Sequence, residues 1–465
     1  MSRSYTAFLS LYPEFADTSE IDRVRQSDYA RLNEQNHIYL DYTGAGLYAS
    51  SQIEEHTRLL QDHIFGNPHS TNPSSMAATK FVDSARAYVL QYFKADPAEY
   101  DVIFTSNASG ALKIVGESYP FGPGDQYVLV FDNHNSVNGI REFAHAKGAE
   151  VKYIPLLLPE LRLDPDLVDT FLKDRHPGKN NLFAFPAQSN FTSVKHPLSL
   201  VEKAQGYGWD VLLDAAAFAP TNRLDLSVFK PEFVTLSFYK IFGYPTGIGA
   251  LVAKRSALGR LHKPWFAGGT ITVASVQGDK FYLADGHTAF EDGTPDFLSI
   301  PAIEIGLKHI ERMGIDKINI RVKCLTGWLL SNLTEMRHSS GVPLVKVYGP
   351  TDTTDRGGAV AVNFYDKSGQ PIDHRAIEEG ANRQNISLRT GCFCNPGAGE
   401  IALGISRMEL DVCFSGPGHE DRLTIDDFRD CISGKNSGAV RISVGTVSNY
   451  EDIEGFLRYA ESLLA

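Results

Sequence analysis

The strongest constraint on the fold is an alternation of short apolar runs with helix-period stretches between residues 100 and 254. The runs Asp101–Thr105, Tyr127–Val130, Val151–Ile154, Asn181–Phe185, Asp210–Asp214, Phe233–Ser237 and Gly249–Val252 read as strands. Intervening stretches such as Asp164–Lys173 and Pro197–Tyr207 read as helices. Regular alternation of this kind builds a mostly parallel α/β sheet covered by helices on both faces. In such sheets ligands bind beyond the carboxyl ends of the strands. Ser109, His134, Asn190, Asp214 and Lys240 all fall at predicted strand ends. That coincidence points to one ligand site rather than to scattered polar loops.

Each of these residues also has a plain reading. Lys240 lies between apolar runs in Ser237-Phe238-Tyr239-Lys240-Ile241-Phe242-Gly243. Its stem can be buried while its head reaches water. Alternatively, a desolvated amine of lowered pKa can form a Schiff base with a carbonyl such as that of pyridoxal phosphate (PLP). Ser106-Asn107-Ala108-Ser109-Gly110 turns directly into a helix, offering free N–H groups and a favourable dipole end to a phosphate, or simply a serine cap. His134 is either a solvated loop histidine or a ring placed to stack on a flat cofactor.

With 465 residues the chain has room for a large and a smaller unit. Its pattern changes near residue 300, where the long helices Pro301–Met313 and a second running through Leu333 lead to the strands Val345–Tyr348, Ala359–Phe364 and Ala439–Val444. Asp22–Asn36 reads as an amphipathic helix, and Ser415–Ser437 as a polar insert. A formal charge of −12 argues against nucleic acid or an anionic membrane surface as a partner. No apolar run reaches membrane-spanning length and the first residues do not form a signal peptide, so the expected location is the cytoplasm. Five cysteines, with Cys392 and Cys394 one residue apart, point to reactive thiols more than to a disulfide framework. A zinc set of Cys392, Cys394, Cys413, Cys431 and His419 is disfavoured by the Cys-x-Cys spacing.

PLP chemistry needs a lysine, an acid on the pyridine nitrogen, a phosphate site and a group for the substrate carboxylate. Lys240, Asp214, the turn at 107–109 and Arg441 supply that set in order. The spacing resembles the class V aminotransferase family of PLP fold type I, in its cysteine desulfurase branch. The match is nearest to the N-terminal desulfurase domain of molybdenum cofactor sulfurases. It is carried by Tyr39-Leu40-Asp41, Gly66-Asn67-Pro68-His69-Ser70, Phe238 through Gly243, Arg389 through Pro396 and Val440-Arg441-Ile442-Ser443.

The resemblance implies a large domain at 38–300 with a mostly parallel seven-stranded sheet. It also implies an N-terminal arm at 1–37 packed on the small α+β domain at 301–465, which carries the Cys394 loop and Arg441. Ala108, Ser109 and Ser237 would bind the phosphate, with Thr294 of a second subunit, hence a homodimer. His134 would stack on the cofactor, Asp214 hold its nitrogen, and Asn190, Arg389 and Arg441 bind substrate. Lys240 would be the base, and Cys394, on a mobile loop, would receive sulfur from L-cysteine or a related amino acid as a persulfide, leaving alanine. The alternative is a C–S lyase that needs no protein persulfide.

Departures from the family pattern are Ala217 where a glutamine contacts the cofactor, Gly399 where the sulfurase subgroup has a third cysteine, and Tyr239 where many desulfurases carry histidine. The resemblance runs to Ala465 and does not reach the C-terminal MOSC domain of full-length sulfurases, so sulfur transfer to molybdenum is not expected from this stretch. The sulfur acceptor is therefore not named by the resemblance.

Overall fold

A computed structural model describes residues 3–416, 422–432 and 437–465. Its centre is a seven-stranded sheet. In spatial order the strands are Tyr100–Thr105, Gly249–Lys254, Phe233–Ser237, Asp210–Asp214, Asn181–Pro186, Gln126–Val130 and Glu150–Ile154. Gly249–Lys254 runs antiparallel to both neighbours and the other pairings are parallel. Central strands such as Asn181–Pro186 are buried along their full length, as a sheet with both faces covered requires. The parallel strands therefore end on one edge, at Thr105, Val130, Pro186, Asp214 and Ser237. The reversed strand starts there, because Gly249 stands opposite both Thr105 and Ser237.

Helices Pro301–Met313 and Ile315–Glu335 lead to a second, antiparallel sheet of four strands, in the order Val345–Tyr348, Ala359–Phe364, Ala439–Ser443, Arg389–Gly391. Its register sets Arg389 directly opposite Arg441. Two cations facing each other repel unless an anion lies between them. Asp41 fills that place, taking Arg389 at 2.6 Å and Arg441 at 3.3 Å.

The N-terminal arm packs on this second unit. Phe8 is fully buried against Phe15, Trp328 and Tyr450 at centroid separations of 4.8, 5.7 and 5.3 Å. Arg321 binds Thr18 and Asp22 of the arm. The expected helix over Asp22–Asn36 is two helices, Ser19–Asp28 and Arg31–Glu34, because the chain turns at Tyr29 to bury that ring and bond His309 at 3.0 Å. Ile38–Tyr39, assigned from sequence to the large unit, pairs in parallel with Ile386–Ser387 instead. The structure adds the short strand Arg389–Gly391 and the hairpin Ile271–Ser275 with Lys280–Leu283.

The cysteines correct a further expectation. Cys413 and Cys431 form a disulfide, while Cys324, Cys392 and Cys394 are free. That bond removes two ligands from the zinc alternative, and His419 lies outside the described residues. Within the insert, Ile425–Cys431 is helical. No helix among the described residues is long and apolar enough to cross a membrane.

Candidate active site

The strand Phe233–Ser237 runs straight into the five-residue helix Phe238–Phe242. Phe238, Ile241 and Phe242 share its buried side, which leaves Tyr239 and Lys240 on the other. Gly243, at φ 80°, ends the helix in a conformation that favours glycine. Lys240 thereby faces a cavity of about 150 Å³ shared with His134, Asn190, Asp214 and the turn at 107–109. Its amine makes no hydrogen bond or ion pair among the described residues. Burial pushes the Lys240 pKa down, Asp214 and Cys394 act against that, and Arg441 and Arg389 add to it.

Asp214 is buried at its strand end, where one carboxylate oxygen accepts from Ala216 N at 3.0 Å and Thr235 Oγ1 at 3.4 Å. The other oxygen has no protein donor among the described residues. His134 Nδ1 accepts from Ser136 N at 3.1 Å, so the neutral ring carries its proton on Nε2. Burial lowers the His134 pKa, with Asp214 opposing and Lys240 reinforcing the shift. Burial and Lys240 thus favour the neutral imidazole, with Asp214 acting against them.

Asn107 caps the helix Ala108–Ser118 by accepting from Gly110 N at 3.0 Å. Ala108 N donates to Ser237 Oγ at 3.0 Å, and the hydroxyls of Ser109 and Ser136 are 2.5 Å apart. A helix N-terminus dressed with hydroxyls is an anion site. The turn can sit on the sheet edge because Gly249 lacks a side chain, as a Cβ there would fall 2.5 Å from Asn107 C and Leu236 O.

Arg441 is buried and its pKa is brought down to about 10 by that burial. One nitrogen donates to Asn190 O at 2.8 Å, another reaches Asp41 at 3.3 Å, and Nε is buried without a partner among the described residues. An arginine this buried with one loose carboxylate contact can still accept a stronger one. Arg389 is half exposed and spends Nε and NH2 on Asp41 at 3.0 and 2.6 Å. Sequence placed Asp41 in a motif of the resemblance but gave it no role in the site, since that role comes from strands hundreds of residues away.

Cys394 is exposed on a tight turn in which Phe393 and Cys394 have φ of 55° and 56°. It acts electrostatically on Lys240, Arg441 and Tyr239. Cys392 donates to Ser437 O at 3.0 Å, and burial raises its thiol pKa. Thr294 does not reach the cavity. It is exposed and accepts from Asn67 Nδ2 at 3.2 Å. Gln188 lines the cavity beside Ala217, donating to Ala217 O at 3.0 Å. Its place two residues before Asn190 at a strand end was the available signal.

These residues fit PLP. The amine is free and partly desolvated, the phosphate turn is cradled by a glycine no side chain could replace, and Asp214 keeps a carboxylate oxygen for a ring N–H.

A family profile described as Aminotransferase class-V matches residues 38–456, and the chain belongs to that family. Its architecture is the α/β fold type I of PLP-dependent enzymes. Among characterised relatives, molybdenum cofactor sulfurase of Solanum lycopersicum is 37% identical over 98% of this chain and 58% of its own length. The Homo sapiens molybdenum cofactor sulfurase is 35% identical over 94% of this chain and 50% of its length. The chain thus spans about half the length of these relatives. A cysteine desulfurase from Thermococcus onnurineus NA1, solved in its apo form, superposes with a TM-score of 0.78 at 23% identity, covering 95% of this chain and 98% of its own.

Proposed function

We propose that this chain binds PLP at Lys240 and moves sulfur from L-cysteine to Cys394, working in the cytoplasm as a homodimer. The observation that carries the reading is the unpartnered Lys240 amine, enclosed with Asp214, His134 and a phosphate turn and within electrostatic reach of Cys394. When bound, the cofactor would supply an electron sink for the substrate's α-carbon. Asp214 would hold a proton at the ring nitrogen, and neutral His134 would cover the ring. Arg441 would exchange its 3.3 Å contact to Asp41 for the substrate carboxylate, while Arg389 keeps Asp41 neutralised. Lys240 would take the α-proton and later return a proton to carbon. The Cys394 thiolate would attack the substrate sulfur, so that an S–S bond forms as the Cβ–S bond breaks. The balance is L-cysteine plus the Cys394 thiol giving L-alanine plus a Cys394 persulfide.

The relatives' name supports molybdenum cofactor as an eventual sulfur acceptor. The exposed Thr294, which does not line its own cavity, supports a second copy that brings it to a phosphate. Light scattering that gave only the monomer mass with PLP present would remove that part of the reading.

Purified protein mixed with PLP is expected to gain a visible band that changes on adding L-cysteine, with alanine released. Cys394→Ala should keep the spectral change and lose alanine formation by about 100-fold or more. No visible band with PLP present would sink the reading. Sulfide release undiminished by Cys394→Ala would replace it with the C–S lyase.

Gly249→Ala tests the seat of the phosphate turn on the sheet edge, where a methyl would also press on Leu236 O. Its methyl would push Asn107 and Ala108 off the sheet edge and misdirect the phosphate donors. Loss of one or two charge-assisted hydrogen bonds should weaken PLP binding roughly 10- to 100-fold. Equilibrium dialysis is the check, and an unchanged affinity would place the phosphate elsewhere.

A further inference from the structure

The Cys394 turn, expected from sequence to be a mobile loop, is hydrogen-bonded to residues of the large unit on several sides. Asn135 N donates to Cys394 O at 2.7 Å. Asn190 Nδ2 donates to Phe393 O at 2.6 Å. Asn395 Nδ2 donates to Asp132 O at 2.7 Å and to Asn190 Oδ1 at 2.9 Å. Asn395 is fully buried, and Gly397 lies so close to Phe131 that a side chain there would collide with its carbonyl. The Arg441 guanidinium lies over the Phe393 ring at 4.7 Å. Residues 131–135 are the short segment that carries His134, and its Asp132 carboxylate is itself held by buried His196 at 3.1 Å. The sulfur-carrying turn and the ring beside Lys240 therefore share one floor.

We infer that Asn395 is a positioning residue for sulfur transfer: its amide latches the Cys394 turn to the segment bearing His134 and to Asn190. The inference rests on the proposed function for its catalytic meaning, but the latch itself is geometric. Asn395 does two separable things. Its oxygen accepts from Ala398 N at 3.2 Å and caps the helix Pro396–Leu403, while its nitrogen makes both latch bonds. Asn190 acts in the same latch, since its oxygen receives Asn395 and its nitrogen holds Phe393. Contact between Arg441 and the Phe393 ring joins the group proposed to take the substrate carboxylate to the same turn. Holding Cys394 in register favours its attack on the substrate sulfur, an effect on the transfer step and not on substrate affinity.

Asn395→Ser keeps a capping hydroxyl but is too short to reach Asp132 or Asn190, and Asn395→Asp keeps the capping oxygen while removing both donated bonds. The full-length variants with PLP bound should show hydrogen exchange at the Asn135 amide about 10-fold faster than wild type, with helix amides such as Val115 unchanged. For alanine formation, kcat should fall roughly 10- to 100-fold while KM for L-cysteine stays within about twofold. A folded variant with unchanged exchange, or with KM raised at constant kcat, would overturn the inference. If both variants lose their circular dichroism signal, Asn395 is a structural core residue and the inference is likewise overturned. If wild type releases no alanine, the proposed function fails, and the exchange comparison still decides the latch.

Discussion

Lys240→Ala is expected to lower alanine release from L-cysteine by roughly two to four orders of magnitude, the range for removing a positioned proton-transfer group. The substitution removes an amine whose pKa burial has lowered, a shift toward the unprotonated form that can act as a base. Little of the fold should change, because Phe238, Ile241 and Phe242 carry the packing of that helix and Lys240 lies on its other side. The thermal midpoint of the protein without PLP should therefore stay close to wild type. Truncation also leaves space beside Asp214 and His134, so a small primary amine such as ethylamine should restore part of the rate in a concentration-dependent way. Rescue without recovery of the visible band, or full activity in the variant, would mean that another group takes the proton. Phosphate retention provides the internal control, since Ser237, Ala108 and Ser109 are untouched by the change.

The edge on which Lys240 sits was legible from sequence because a parallel sheet converts order along the chain into position in space. His134, Asn190, Asp214 and Lys240 each follow an apolar run, and the structure gathers them around one cavity. The antiparallel direction of Gly249–Lys254 was not legible, since strand direction leaves no mark on an apolar run. Neither was Asp41, which separates two arginines on different strands, because like charges in register are visible only once the strands are paired. Asn395 hides for a related reason. Read locally it is a helix cap, and its second role depends on residues 132 and 190 arriving from elsewhere. The Cys413–Cys431 bond ties the helix Arg407–Phe414 to a segment whose polar composition reads as an insert, with no periodic pattern to bring the two cysteines together. Thr294 marks the opposite limit, a residue recognised by motif that the single chain leaves outside its own cavity.

Arg25→Ala should destabilise the protein by about 3 to 5 kcal/mol, the usual cost of removing one partner of a buried ion pair. Arg25 binds Asp452 through two nitrogens at 2.7 and 3.0 Å and Val447 O at 2.7 Å, with both charged side chains 5% exposed. The pair joins the N-terminal arm to the cap of the helix Tyr450–Glu461, where Asp452 also accepts from Asn449 N at 3.1 Å. Burial raises the Asp452 pKa and Arg25 is the chief influence holding it back. In the variant the folded carboxyl would therefore bind its proton at higher pH than in wild type, while the unfolded chains titrate alike. The deficit should accordingly be full at neutral pH and narrow as pH falls through the Asp452 titration, because a neutral carboxyl no longer needs the guanidinium. Urea unfolding of both proteins across the acid to neutral range, on chains that refold reversibly, measures this directly. A deficit that stayed constant with pH would assign the loss to the Arg25 stem and its bond to Val447, not to the buried charge. A variant as stable as wild type at neutral pH would mean that water or a rearranged arm reaches Asp452. In that case the arm would contribute little to holding the strand Ala439–Ser443, and with it Arg441, beside the site.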